Sequence, residues 1–227
     1  MTTQTMQIGN TPCRIYGGAN AEYLLLQMTG EHELQSMDYE VAAIAQSSQN
    51  FLFAAIPVES WNDALSPWKA PAVWGKQGFG GKAGDTLRFL TEQVIPTLEQ
   101  QFPLPENVKI ILGGYSLAGL FALYALYQTD VFARAASMSG SFWFEGIMEY
   151  VCSHEMKRKP DCLYFSLGDK ESSTDNPILN VVQQNTQEIE TLCHGKGIET
   201  TFVLNSGSHY QACNKRTAAG IHWILNR

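Results

Sequence analysis

Short apolar runs recur along the chain and alternate with longer segments whose apolar residues return every three or four positions. The runs "EYLLLQM" (22–28), "FLFAAIP" (51–57), "VKIILG" (108–113), "RAASMSG" (134–140), "CLYFSLG" (162–168) and "ETTFVLN" (199–205) are bounded by turn residues. The first two, brief and nearly continuous, are what strands buried on both faces require, and the other four are further strand candidates. Between them, 37–46 has helical spacing at Val41, Ile44 and Ala45, and 84–102 sets Leu87, Leu90, Val94 and Leu98 on one face, with Pro96 a predicted kink. Segment 117–128 is apolar nearly all round and predicts a buried helix. Segment 177–197 has Pro177 near its start and Gly195 and Gly197 past its end, and 213–227 closes the chain as a last helix. Strands alternating with helices predict an α/β fold, with a mostly parallel central sheet flanked by helices on both faces. In such sheets a ligand sits at the carboxyl ends of the strands.

Two segments interrupt the alternation. Residues 58–83 hold three of the five tryptophans and are rich in Gly and Pro, unusual for a connector, so they are expected to wall a site. Residues 141–160 follow a strand and are expected to form a short helix over that site.

Composition narrows the classes. A chain of 227 residues, 44% of them hydrophobic, suits one domain spanning 1–227. Lys and Arg total 15 against 22 Asp and Glu, a formal charge of -7, and no dense basic cluster offers a face for phosphates, so nucleic acid is not an expected partner. No run approaches a membrane span, and "MTTQTMQIGNTP" lacks the basic start and apolar centre of a signal peptide; a cytoplasmic protein without a membrane partner is expected. The five cysteines are scattered without a C-x-x-C, which indicates neither a disulfide framework nor a metal site. Cys213 stands apart, being close in sequence to a histidine singled out below.

The chemistry centres on "IILGGYSLAGLF" (110–121). Gly114-Tyr115-Ser116-Leu117-Ala118 matches G-x-S-x-G, with Ala in the fifth place. In this nucleophile elbow a serine sits on a strained strand-to-helix turn, and small neighbours leave room for its backbone. A pattern this short arises by chance in about one chain in seven. The predicted strand before it and buried helix after it are what make it informative. A serine hydroxyl needs a base, and the chain order of this arrangement is Ser, then Asp or Glu, then His. Of the downstream histidines, His154 lies in a charged stretch, His194 ends a polar helix, and His222 lies inside the last helix. His209 follows the last predicted strand through "SGS", where a base would stand. The acid belongs in the loop after the preceding strand, "YFSLGDKESSTD". Hydrolases of this fold often carry it three residues after a glycine, which favours Glu171 after Gly168, with Asp169 and Asp175 as alternatives. An oxyanion hole needs the Leu117 N–H and a second donor from the loop after "FLFAAIP", somewhere in Val58–Asn62, with Trp61 or Asn62 preferred.

The stretches "GGYSLAGLFALYALYQTDVFARAASMSGSFW", "LYFSLGDKE" and "GSHYQACNKRTAAGIHWIL" resemble the Putative esterase family of the α/β-hydrolases, which includes siderophore (enterochelin-type) esterases, feruloyl esterases and S-formylglutathione hydrolase. The resemblance covers nearly the whole chain. It implies an α/β-hydrolase fold without a large cap domain, and serine hydrolase chemistry on carboxylic or thiol esters carried by Ser116 and His209. Some siderophore esterases are thought to manage with a Ser and His dyad. No metal or organic cofactor is implied. The expected substrate is a small or medium-sized ester in an aromatic-walled cleft formed by Tyr115, Trp68, Trp74, Phe79, Phe142 and Trp143. The same three residues would also serve an acyltransferase, and a chain keeping the fold without the chemistry would be a binding module. Serine, acid and histidine in this order favour an enzyme; oligomeric state is not legible.

Overall fold

In the computed structural model, which describes residues 2–18, 21–46 and 50–227, the expected strands assemble into one large sheet. Met1 of the expected 1–227 domain lies outside the described residues. The elements, in chain order, are β1 (Thr3–Ile8), β2 (Thr11–Tyr16), β3 (Tyr23–Thr29), α1 (Glu31–Leu34), α2 (Met37–Ala45), β4 (Phe51–Pro57), α3 (Trp61–Ala64), β5 (Lys69–Ala70), β6 (Phe79–Gly80), α4 (Ala83–Phe89), α5 (Ile95–Gln101), β7 (Lys109–Tyr115), α6 (Leu117–Gln128), β8 (Arg134–Met138), α7 (Ile147–Ser153), β9 (Cys162–Gly168), α8 (Val182–Gly195), β10 (Glu199–Asn205) and α9 (Cys213–Leu225). The sheet runs β1-β2-β4-β3-β7-β8-β9-β10. Strand β2 pairs antiparallel with β1 and β4, and the ladders from β4 to β10 are all parallel.

Alternation along the central strands divides the interior. In β3, Leu24, Leu26 and Met28 point to one face and Leu25 to the other; in β4, Leu52, Ala54 and Ile56 oppose Phe51, Phe53 and Ala55. The first face is covered by α4, α5, α6 and α8, the second by α2 and α9. Each fully buried large apolar side chain contributes about 1.5–3 kcal/mol, which is why a run apolar at every position is stable only with both faces covered. No helix among the described residues is long and apolar enough to cross a membrane.

Several local expectations are corrected. The chain opens with the β1–β2 hairpin, turned at Gly9 with φ 56°; the Gly-Asn pair at 9–10 is a hairpin signal inside a stretch otherwise too polar to suggest strands. In segment 84–102 the regular helix is interrupted in the turn just before Pro96. It passes through a π-turn at Leu90–Val94 and resumes as α5, the proline standing in the first turn of that helix. A proline ring crowds the carbonyl four residues back and lacks the N–H a tighter turn would use, and a widened turn absorbs both. Helix α8 starts at Val182, five residues after Pro177. Residues 58–83 contain α3 and the β5–β6 hairpin, and Trp61, Asn62 and Trp74 from this segment line the cavity that holds Ser116. Helix α7 does not lie over the site; Ile147 and Val151 anchor it in the core beside Tyr124 and Tyr127, whose rings meet Tyr150.

Candidate active site

The parallel ladders bring strand ends to a common edge: Tyr115 pairs with Met138, Met138 with Ser166, and Gly168 with Asn205. Loops leaving β7, β9 and β10 therefore meet at that edge, and each brings one side chain. Ser116 occupies the turn between β7 and α6 with φ 59° and ψ -123°. That conformation is costly for a residue with a Cβ and persists only where the surroundings enforce it. Here the Ser116 N–H donates to the Met138 carbonyl, and its own carbonyl accepts from Gly119, Leu120 and Ser141. Gly114 is required below it, because a Cβ there would collide with the backbone of Ala118. Alanine in the fifth place of the motif packs directly over that glycine.

His209, in the loop after β10, stands with Nε2 3.1 Å from Ser116 Oγ and Nδ1 2.7 Å from Glu171 Oε2. Glu171 is almost wholly buried. Its other oxygen, Oε1, accepts from the Gly168 N–H at 2.6 Å, the Ser139 hydroxyl at 2.7 Å and Arg216 Nη1 at 3.2 Å. Burial alone would raise this carboxyl, but the hydrogen bonds and charge of His209, with those of Gly168 and Ser139, outweigh it and hold the group below the usual carboxylate range. Glu171 is thus an anion presented to the imidazole. Asp169 acts elsewhere, its Oδ1 accepting the Gly207 N–H at 2.8 Å and so tying the β9 loop to the one that carries His209. Asp175 is exposed farther along its loop.

A layer below holds these groups. Tyr115 Oη donates to the His209 carbonyl at 2.7 Å and accepts from Arg216 Nη1 at 3.2 Å. Burial pushes the Tyr115 hydroxyl upward, so it remains a donor. Arg216 Nη2 donates to the Ser206 carbonyl at 3.1 Å. Sequence reasoning missed Arg216 and Ser139. The signal for Arg216 was present, since it lies in phase with Gly220 and Ile224 on the buried stripe of α9.

Beside Ser116 opens a cavity of about 650 Å³ lined by Tyr115, Trp61, Asn62, Trp74 and Trp143 among the expected residues, and by Glu33, Leu179, Val182, Tyr210 and Cys213, which the sequence did not single out as wall residues. Three expected wall residues are elsewhere. Phe142 is fully buried against Phe165, Trp68 packs on Phe144 and Tyr150 with its indole N–H on the Glu145 carbonyl, and Phe79 stands behind Trp74 and Trp143. An aromatic-rich segment supplies core and wall together, and only the fold separates them. Leu117 opens α6, directly after Ser116. The strand beside β7 is β3, so the turn Gly30–Glu33 leaves the sheet next to the one that carries Ser116. Trp61 and Asn62 reach the cavity from one strand farther out.

The family profile described as Putative esterase matches residues 42–215. An uncharacterized protein, YbbA, of Bacillus subtilis (strain 168) is 23% identical over 198 residues, covering 83% of this chain and 78% of its own. Among solved structures, an IroE-like serine hydrolase from Shewanella oneidensis superposes with a TM-score of 0.80 at 17% identity, covering 99% of this chain and 80% of its own. The siderophore hydrolase EstA from Aspergillus nidulans gives 0.72 at 18% identity, covering 99% and 93%. The enterobactin esterase FES from Shigella flexneri gives 0.75 at 15% identity, with all of this chain matching 60% of the other.

Proposed function

This chain belongs to the Putative esterase family and is an esterase, and from that premise we propose that Ser116, His209 and Glu171 form the catalytic triad of a serine hydrolase cleaving carboxylic or thiol esters of small to medium size. The observation that carries the reading is the unbroken relay of 3.1 Å and 2.7 Å from the serine hydroxyl through the imidazole to a buried carboxylate. With Nδ1–H donated to Glu171, Nε2 keeps its lone pair for the serine proton. Ser116 Oγ attacks the ester carbonyl as its proton passes to His209, and the imidazolium formed is stabilised by Glu171. The proton then goes to the leaving alcohol or thiol, and the acyl group stays on Ser116. Water, deprotonated by the same nitrogen, attacks the acyl-enzyme and releases the acid.

The carbonyl oxygen becomes negative in each tetrahedral state and needs donors already aimed at it. Leu117 supplies one N–H, and a backbone N–H from the loops that border the cavity, the turn after β3 or Trp61 and Asn62, supplies the other; the Gly30 N–H is already taken by the Glu33 carboxylate. A cavity of about 650 Å³ holds an ester of modest size. The test is labelling with a fluorophosphonate followed by peptide mass spectrometry, on wild type and on Ser116→Ala and His209→Ala. An adduct on Ser116 that disappears in both variants is expected. A folded wild-type protein that takes no label would overturn the assignment.

A further inference from the structure

The active-site cavity contains a carboxylate that the relay does not use. Glu33, in the first turn of α1, lines the same cavity as Ser116. Its Oε2 accepts the Gly30 N–H at 2.8 Å, which fixes the side chain, while Oε1 has no hydrogen-bond partner among the described residues. No described Lys, Arg or His side chain pairs with it. Burial raises the carboxyl above its usual range, only partly offset by the Gly30 hydrogen bond, and Glu40 beneath it adds a second acidic group rather than a counter-charge. Around it the cavity presents the rings of Trp61, Trp74, Trp143 and Tyr210, and no Lys or Arg is among the described lining residues. Trp74 and Trp143 meet edge to face at 5.2 Å, and Trp74 and Tyr210 are 54% and 86% exposed, so ring surface is left open at the mouth. Glu171 also borders the cavity, but its oxygens are taken by His209, Gly168, Ser139 and Arg216.

A partly desolvated carboxylate without a described counter-charge, sharing a cavity with tryptophan and tyrosine rings, is the setting that attracts an organic cation, through the ion pair and through the ring quadrupoles together. A substrate rich in negative charge would meet two carboxylates and no Lys or Arg among the described lining residues. We infer that the site selects esters bearing an ammonium group, with Glu33 and the tryptophan walls as the specificity determinants; this rests on the triad reading above. Isosteric pairs test it: choline acetate against 3,3-dimethylbutyl acetate for a cation on the alcohol side, and a betaine ester against its tert-butylacetyl counterpart for one on the acyl side. The cationic member of at least one pair is expected to show kcat/KM about 10-fold or more higher, and Glu33→Gln, whose carbonyl keeps the Gly30 hydrogen bond, is expected to bring that ratio close to one. Tetramethylammonium chloride is expected to inhibit p-nitrophenyl acetate hydrolysis competitively, where sodium chloride at equal ionic strength does not. Equal rates within both pairs, or a ratio unchanged in Glu33→Gln, would overturn the inference while p-nitrophenyl acetate hydrolysis left the esterase reading standing. Failure to cleave p-nitrophenyl acetate and all four esters would overturn both.

Discussion

Replacing Glu171 with Gln changes one atom and tests the relay most directly. The carboxylate oxygen 2.7 Å from His209 Nδ1 fixes the tautomer whose Nε2 faces Ser116 at 3.1 Å. A glutamine amide can turn its NH2 toward Nδ1, which then must accept, moving the ring proton to Nε2 and leaving the serine without a base. The opposite amide rotamer would keep the tautomer but aim an NH2 at the Gly168 N–H, 2.6 Å from Oε1, donor against donor. A correct geometry with the wrong tautomer costs roughly 10³–10⁴ in kcat, or about 4–5.5 kcal/mol of transition-state stabilisation. The substitution also leaves buried Arg216 without its carboxylate partner, although the Tyr115 hydroxyl and Ser206 carbonyl still accept from it. That loss is about 1–3 kcal/mol of stability and, at about 2–4 °C per kcal/mol for a chain of this size, lowers Tm by roughly 2–12 °C. The assay is kcat/KM for p-nitrophenyl acetate at 20 °C, well below the shifted Tm, with circular dichroism on the same samples. A folded variant retaining activity within tenfold of wild type would refute the role given to Glu171, and Asp169→Asn in parallel should lose much less, because Asp169 holds a loop amide and not the imidazole.

Arg216→Met breaks a buried ion pair from the other side and should cost about 3 kcal/mol, seen as a Tm lower by roughly 6–12 °C; an unchanged Tm would mean the network around Glu171 does not depend on it. Gly114→Ala forces a methyl into the backbone of Ala118 and should abolish fluorophosphonate labelling, whereas Gly84→Ala, where a Cβ meets nothing within 4 Å, should label and melt like wild type. Stability against pH should show two opposed limbs. Glu40, buried and bonded to Gln27 Nε2 at 2.8 Å, has its carboxyl raised by burial to about 7, so the folded state binds a proton the unfolded chain releases above about pH 4.3, and stability falls as pH rises from there through 7. Glu171 is shifted down, so its contribution is present above about pH 4.3 and is lost as pH falls below it. Urea midpoints should therefore peak near the unfolded carboxyl pKa of about 4.3, where the two limbs cross, and Glu40→Gln should flatten the alkaline limb by up to about 4 kcal/mol; a variant with the same slope as wild type would contradict the assignment.

Periodicity alone determined most of the architecture. Strands such as "FLFAAIP" and "CLYFSLG" fall at the same residues in the structure, because a nearly continuous apolar stretch satisfies both faces of a covered sheet and little else; "ETTFVLN" also falls in place, but as a half-exposed edge strand. Motif spacing likewise pointed to Ser116, His209 and Glu171, since chain order and strand ends restrict where a nucleophile, its acid and its base can stand. The order of strands was not in the pattern: buried β3 and β4 look alike locally, and only their pairing decides that β3 neighbours β7 and that Gly30–Glu33 enters the site. The division of aromatic residues between core and cavity was also undetermined, because Phe142 and Trp143 are adjacent and equally apolar, yet one ring turns into the core against Phe165 and the other lines the cavity. Arg216 and Glu33 belong to the same class. A charged side chain is ordinary on a helix surface, and what it does depends on which distant groups the tertiary structure sets against it: a buried carboxylate for one, and an aromatic cavity with no Lys or Arg among its described lining residues for the other.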